Sequence, residues 1–240
     1  PEGGTPVYFG DGNTWNTVVD DIYVLHQRLK QRYPDVPLCI MGHSMGSFLT
    51  RTYLIRYPGT VKAAVIMGTG WQPRAAITGG LALANAIAAV SGENATSELV
   101  TELAFGSYNK LFAPNRTKVD WLSADESNVD DYIADPLCGA DATVGLFRQM
   151  LHGIRFNQRQ SHLRQMDREM PVLFVAGDKD PVGNCGKGVR QTYDAFRAAG
   201  MRDCTLKLYP GLRHEILNEK AYTADITKNI EAWLLSRLEK

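Results

Sequence analysis

The chain has 240 residues with 26 basic and 26 acidic side chains, so its formal net charge at pH 7 is zero. Without a surplus of positive charge it lacks the electrostatic basis for general binding to nucleic acid or to an anionic membrane surface. Hydrophobic residues make up 44% of the sequence, which excludes wholesale disorder and predicts a folded domain with a sizeable core.

The cysteine pattern argues against a metal site. The four cysteines lie far apart without a CxxC pair, so neither a zinc site nor a redox motif fits their spacing. Cys39 and Cys204 fall in apolar, strand-like runs, where we expect reduced thiols that behave as small hydrophobic side chains. We therefore expect a cytoplasmic location. The longest apolar run, 77–90, is interrupted by two glycines and an asparagine, so we expect no stable membrane insertion.

The first part of the chain predicts helices that alternate with short strands. Apolar residues at three- and four-residue steps predict a helix over 14–32. A strand over 37–41, a helix over 47–57 and a continuously apolar strand over 61–67 follow. Continuous apolar runs of this kind are typical of parallel strands that are buried on both faces.

The middle of the chain breaks this alternation. Residues 72–167 contain helix-like patches at 81–90, 98–105 and 142–156 but no convincing strand. Because structureless connections of this length are rare in compact domains, we interpret the region as a helical cap inserted between two strands.

The last part of the chain returns to the alternating pattern. A strand over 171–176, a helix over 189–199, a strand over 204–209 and a helix over 221–238 are predicted. The whole pattern predicts an α/β fold with a parallel sheet. Its expected organisation has three parts: a first core part at 1–71, the cap at 72–168 and a second core part at 169–240.

A serine between two glycines lies between the first predicted strand and the next helix, in Gly42-His43-Ser44-Met45-Gly46. A sharp strand-to-helix turn exposes such a serine beside a base, and the glycines relieve crowding around it. The Met45 backbone N–H at the helix start points to where an oxyanion would form. The motif therefore predicts Ser44 as a nucleophile and Met45 as an oxyanion-hole donor.

The base that activates this serine should be a histidine that follows the acid in the chain. His214 is the only histidine after the third strand, and it lies in a loop just beyond the fourth strand. The other four histidines precede these strands: His26, His43, His152 and His162. Of these, His26 is expected to be solvated, and His43 is expected to point away from Ser44.

Two aspartates are candidates for the acid that orients the histidine. Asp178 and Asp180 both follow the strand over 171–176, and at two residues apart they cannot both point at His214. Pro181 stiffens the turn after Asp180 and favours it, but the residues alone leave Asp178 open.

Three motifs resemble the monoacylglycerol lipase and lysophospholipase branch of the serine α/β-hydrolases: GHSMG at 42–46, G-x-x-D-P at 177–181 and YPG-x-RHE-x-LNE at 209–219. The resemblance covers nearly the whole chain and is looser through the cap. It implies an α/β-hydrolase sheet with a helical cap, and hydrolysis of small acyl esters without metal or organic cofactor. It places the family's site on four residues: Ser44, Met45, Asp180 and His214.

The chain departs from the family pattern before the nucleophile. Family members carry earlier strands and a His-Gly loop whose backbone N–H completes the oxyanion hole, and residues 1–12 show neither. The resemblance therefore predicts an N-terminally truncated hydrolase whose nucleophile strand is bare on one side. An exposed sheet edge of this kind predicts self-association.

Two other interpretations stay open at this level. The same catalytic residues could cleave small amides, as in the related aminopeptidases, although the apolar content of the cap favours acyl esters. Alternatively, the chain could be a catalytically incomplete fragment that needs the missing N-terminal part.

Overall fold

The structure, a computed structural model, describes residues 5–238. Its sheet has four parallel strands in the order β1-β2-β3-β4. The strands are β1 (Cys39–His43), β2 (Ala63–Met67), β3 (Val172–Gly177) and β4 (Cys204–Tyr209). Since all four run in the same direction, the residues that follow them meet at one edge of the sheet. The α/β fold expected from the sequence is confirmed.

Nine α-helices connect and cover these strands in the described part of the chain. They are α1 (Thr14–Arg32), α2 (Met45–Arg56), α3 (Arg74–Ser91), α4 (Glu98–Phe105), α5 (Glu126–Ala134), α6 (Val144–Asn157), α7 (Gln160–Leu163), α8 (Lys187–Ala198) and α9 (Thr223–Leu238). Two short 3₁₀ helices, Asn109–Phe112 and Asp120–Leu122, lie between α4 and α5.

The sheet separates two apolar cores because alternate strand residues point to opposite faces. On one face, Phe174 packs at right angles against Phe196 of α8, in a core that extends to α2 and α6. On the other face, Val65 and Val175 pack with Trp233 of α9. Cover on both faces explains why β2 and β3 are apolar throughout.

The region between β2 and β3 is helical, and several of its helices contribute side chains to the core. Helix α6 packs on α2, where the buried Asn157 side chain accepts from the Thr52 hydroxyl at 2.8 Å and donates to the Phe48 carbonyl at 2.8 Å. Helix α3 then packs on α6. The connection from β2 to β3 thus passes through both the core and the cap.

Strand β1 has a partner on one side only within residues 5–238. Met41 is 54% exposed, and Cys39, a free thiol as expected, is exposed as well. Leu25 and Leu29, on the apolar stripe of α1, are also exposed. These positions carry apolar side chains but lack a covering layer among the described residues.

Helix α3 corrects an expectation. The run 77–90 is not interrupted, since a continuous helix passes through both glycines. By length and composition alone, α3 could cross a membrane, with a mean hydropathy of 1.3 over a window that is 17% buried. Its buried residues are Ile77, Leu81 and Ala84, which face the core that includes α6.

Candidate active site

The turn after β1 presents Ser44 in a strained conformation. Ser44 has φ 54° and ψ −122°, a region that residues with a side chain rarely adopt. Its backbone N–H donates to the Met67 carbonyl at the end of β2, at 3.1 Å, and Ser47 of α2 bonds back to its carbonyl. The turn is therefore held by both the neighbouring strand and the following helix.

The two glycines around Ser44 differ in their steric surroundings. A Cβ on Gly42 would overlap the Gly46 carbonyl oxygen and the Thr50 hydroxyl, so only glycine lets the strand approach α2 this closely. A Cβ on Gly46 would meet nothing within 4 Å. The expectation that both glycines relieve crowding therefore holds for Gly42 and was wrong for Gly46.

His214 and Asp180 form a buried pair at the same edge of the sheet. Nδ1 of His214 lies 3.1 Å from both carboxylate oxygens of Asp180, and the two residues are 2% and 0% exposed. With the Nδ1 proton donated to Asp180, Nε2 is left as the acceptor. The Val182 N–H also donates to Asp180, at 2.9 Å, and fixes its carboxylate.

Asp178 points elsewhere. Its carboxylate accepts from the Gly211 N–H at 2.8 Å, in the loop that carries His214. The Lys179 N–H donates to the Leu212 carbonyl of that loop at 3.0 Å. The structure therefore places Asp180 on the imidazole and uses Asp178 to shape the loop behind it.

Two aromatic rings contact the His214 imidazole. The His43 ring lies 4.6 Å away, centroid to centroid, and its Nε2 donates to the His214 carbonyl at 3.2 Å. Burial, followed by the neighbouring His214, lowers the pKa of His43 below the usual 6.5. The Trp121 ring lies 5.2 Å away on the cap side. Sequence reasoning missed both contacts, because each joins segments that are far apart in the chain.

The end of β2 leaves room for both imidazoles. Gly68 has φ 59°, and a Cβ on it would lie 3.1 Å from atoms of both His43 and His214. The next residues are held by Arg51, a fully buried residue of α2 that donates to Thr69 and Gly70. Burial lowers the pKa of Arg51 to about 9.

Ser44 and His214 share this edge without a hydrogen bond between their side chains in the described structure. Contacts of this kind are often long in unliganded enzymes and tighten when substrate binds. Tyr108 of the cap also lies near the pair and packs against Trp121 at 5.2 Å. Burial, and then the charge of Asp180, raises the pKa of Tyr108 to about 12, so the phenol stays neutral.

The sequence matches a known family over most of its length. The model of the Hydrolase_4 family, described as serine aminopeptidase S33, matches residues 2–221. The chain belongs to this hydrolase family. Its curated relatives place it in the monoacylglycerol lipase branch of the α/β-hydrolases, as the three motifs indicated.

Two curated relatives show the extent of the match. The monoacylglycerol lipase of Mycolicibacterium smegmatis is 30% identical over 98% of this chain and 74% of its own length. The monoglyceride lipase of Mus musculus is 26% identical over 92% of this chain and 65% of its own length. The chain thus spans about two thirds to three quarters of these two relatives.

Solved structures share the fold. A thermostable carboxyl esterase from Bacillus coagulans superposes with a TM-score of 0.85 at 24% identity, over 92% of this chain and 72% of the esterase. A monoacylglycerol lipase from Paleococcus ferrophilus gives 0.68 at 18% identity, over 93% and 76% of the two chains. At these identities the likeness shows the α/β-hydrolase fold.

Proposed function

We propose that this hydrolase cleaves carboxylic esters through an acyl-enzyme on Ser44. The observation that carries the proposal is the convergence at one sheet edge of a serine in a strained strand-to-helix turn with the buried Asp180–His214 pair. In the proposed roles, Ser44 is the nucleophile, His214 the base and Asp180 the acid, while the Met45 N–H donates to the oxyanion. None of these steps uses a metal or organic cofactor.

The reaction proceeds in two halves. Ser44 Oγ attacks the ester carbonyl while its proton passes to Nε2 of His214, and the negative charge on the oxyanion faces the Met45 N–H. His214 then returns the proton to the departing alcohol, which leaves the acyl group on Ser44. A water molecule then attacks the carbonyl of the acyl-enzyme and gives a proton to His214. His214 passes this proton to Ser44 Oγ as the carboxylic acid is released.

A cleft next to the turn that follows Asp180 offers room for part of a substrate, although Ser44 and His214 are not among its lining residues. It has a volume of about 550 Å³ and lies between the cap and the loop that follows Asp180. No charged side chain is among its described lining residues: Trp71, Gln72, Pro73, Ser107, Tyr108, Leu111, Pro181, Val182, Asn184 and Gln191. A neutral lining favours a monoacylglycerol, the substrate that the relatives' names give, over a lysophospholipid with its charged head group.

Cleavage of a small amide by the same residues is the second candidate, favoured by the family's description as a serine aminopeptidase. A chain-length series of p-nitrophenyl esters, run beside aminoacyl p-nitroanilides, separates the two. We expect turnover of esters and little of anilides. Faster cleavage of the anilides would overturn the ester proposal.

The alternative that the catalytic site is incomplete in this chain is tested with a fluorophosphonate probe, because only an activated serine reacts with the probe. We expect Ser44 to be labelled in the wild-type chain and no labelling in Ser44→Ala. Failure of the wild-type chain to label would show that a second oxyanion donor has to be supplied before the site functions.

We further propose a cytoplasmic location. Support comes from the four cysteines, which are all free thiols, three of them exposed. Cell fractionation with an antibody to the natural protein tests this proposal, and recovery from an oxidising compartment would contradict it.

A further inference from the structure

The loop that carries His214 is held from two sides. We call residues 210–219 the histidine loop and residues 120–128 of the cap the clasp segment. The sheet side of the histidine loop is fixed by backbone contacts to the turn after β3, as described above. Its other side is bonded to the clasp segment, about 90 residues earlier in the chain.

Glu219 is a buried acidic residue of the histidine loop that contacts the clasp segment. The residue is 3% exposed, and its two carboxylate oxygens accept from the backbone N–H groups of Ala124 at 2.8 Å and Asp125 at 3.1 Å. No ion pair involves Glu219 in the described part of the chain. Hydrogen bonds that backbone N–H groups donate to a carboxylate are among the stronger ones in proteins.

Two further residues of the histidine loop reach the same segment. The Arg213 guanidinium donates to the Ser123 carbonyl at 2.9 Å. The Glu215 backbone N–H donates to the Leu122 carbonyl at 2.8 Å. These two bonded residues, Leu122 and Ser123, are the two that follow Trp121, whose ring contacts His214.

We propose that Glu219 is a positioning residue for His214 and acts through the clasp segment. By fixing residues 124 and 125, it keeps the Trp121 ring against the His214 imidazole, which the His43 ring also contacts. These contacts restrict the imidazole to the orientation in which Nδ1 reaches Asp180. This inference rests on the proposed function, and it assigns part of the cap to bond cleavage.

The test is Glu219→Gln in the full chain, compared with Glu126→Gln. A glutamine side chain has the same shape but only one acceptor oxygen. Its NH₂ group cannot accept a hydrogen bond, so one of the two backbone N–H groups would lose its partner. Glu126 is a matched control because its side chain is 79% exposed and pairs with Arg116 at 3.8 Å, with no contact to the histidine loop in the described structure. Kinetics are measured on p-nitrophenyl acetate and p-nitrophenyl decanoate, and folding is followed by circular dichroism at the assay temperature.

We expect Glu219→Gln to lower kcat by on the order of 10–100-fold, equally for both esters and with little change in KM, since a small misplacement of a catalytic group has this effect. Glu126→Gln should match the wild-type chain. Glu219→Asp, which keeps both oxygens, should recover part of the loss. An unchanged kcat, or a rise in KM confined to the decanoate, would overturn the proposal.

A double-mutant cycle tests the route through Trp121. If Glu219 acts through this ring, Trp121→Ala combined with Glu219→Gln should cost less than the product of the two single losses. If the loss of kcat in the double variant equals the product of the two single losses, Glu219 does not act through Trp121. Should Glu219→Gln fail to fold, Arg213→Gln removes the bond to Ser123 with Glu219 in place, and the same equal loss of kcat is expected.

Failure of the proposed function is distinguishable from failure of this inference. If the wild-type chain hydrolyses neither ester, the proposed function fails. The contact is still measurable by hydrogen exchange, in which Glu219→Gln should speed exchange at the Ala124 and Asp125 amides. Unchanged exchange would overturn the contact itself.

Discussion

At the scale of single residues, the proposed chemistry depends on individual side-chain groups such as the Ser44 hydroxyl. Ser44 is half-buried at a turn whose backbone is fixed by Met67 and α2, so its hydroxyl contributes chemistry and little packing. This separation lets activity be removed without loss of the fold.

Ser44→Ala should abolish ester turnover. Loss of a nucleophile from such a triad costs on the order of 10⁴–10⁶ in rate. The measurement is kcat on p-nitrophenyl butyrate, with circular dichroism to show that the fold is retained. A variant that keeps more than about a tenth of the activity would remove Ser44 from the mechanism.

Asp180→Asn should lower turnover by about 10⁴, because an amide favours the wrong tautomer of the imidazole. Asp178→Asn should cost far less, since that carboxylate bonds only to the Gly211 N–H in the loop behind His214. Parallel kinetics on p-nitrophenyl butyrate compare the two variants. The reverse order of losses would move the acid to Asp178.

His43 should make the fold sensitive to acid. Its folded pKa is lowered from 6.5, so the folded state resists protonation and the unfolded state does not. The stability is therefore present above pH 6.5 and is lost as the pH falls from there through the lower folded value. Urea unfolding at pH 7.5 and 5.5 should show a smaller pH-dependent loss in His43→Asn than in the wild-type chain. Equal losses would show that the pKa of His43 is the same in the folded and unfolded states.

At the scale of elements, the close approach of β1 to α2 shapes the nucleophile turn. Gly42→Ala places a methyl group against the backbone of Gly46, while Gly46→Ala points into open space. We expect Gly42→Ala to destabilise the fold by about 1–3 kcal/mol or more and to lose activity. Gly46→Ala should be nearly neutral in both. Urea unfolding and kcat compare the pair, and equal effects would contradict the role of Gly42.

The sequence predicted most of these elements because their signals are local. Helix α1 begins and ends at the predicted residues, and β2, β3 and β4 lie within two residues of their predicted positions, because an apolar period and flanking turns define each element. The order of the motifs likewise anticipated that His214 would meet Asp180 or Asp178.

The remaining features depend on contacts between distant segments, and a single sequence carries no signal for them. Trp121 contacts His214 although the two are 93 residues apart in the sequence, and Glu219 binds the Ala124 N–H although they are 95 residues apart. The exposure of Leu25 and Met41 depends on which elements cover them, which periodicity does not reveal. Apolar character alone therefore does not tell which of these side chains another element covers.

At the scale of the whole molecule, β1 lies at an edge of the sheet that residues 5–238 form, beside apolar side chains, and a net charge of zero provides no repulsion between copies. The 240-residue chain should therefore self-associate as its concentration rises, as measured by sedimentation velocity. Met41→Lys on that edge should weaken the association. Leu137→Lys, at a cap position that is 89% exposed, is the control and should not. A chain that stays monomeric at all concentrations would contradict this expectation.

The bonds between the histidine loop and the clasp segment also bear on how such enzymes can be recombined. An exchange of caps between relatives, with junctions near residues 72 and 168, would replace the clasp segment and keep the loop that it binds. Glu219 would then face a foreign backbone, and the chimera would lose rate even where its new cap folds well. Active chimeras should carry residues 120–128 and 210–219 from the same parent. These two segments must therefore be exchanged together, although they are far apart in the chain.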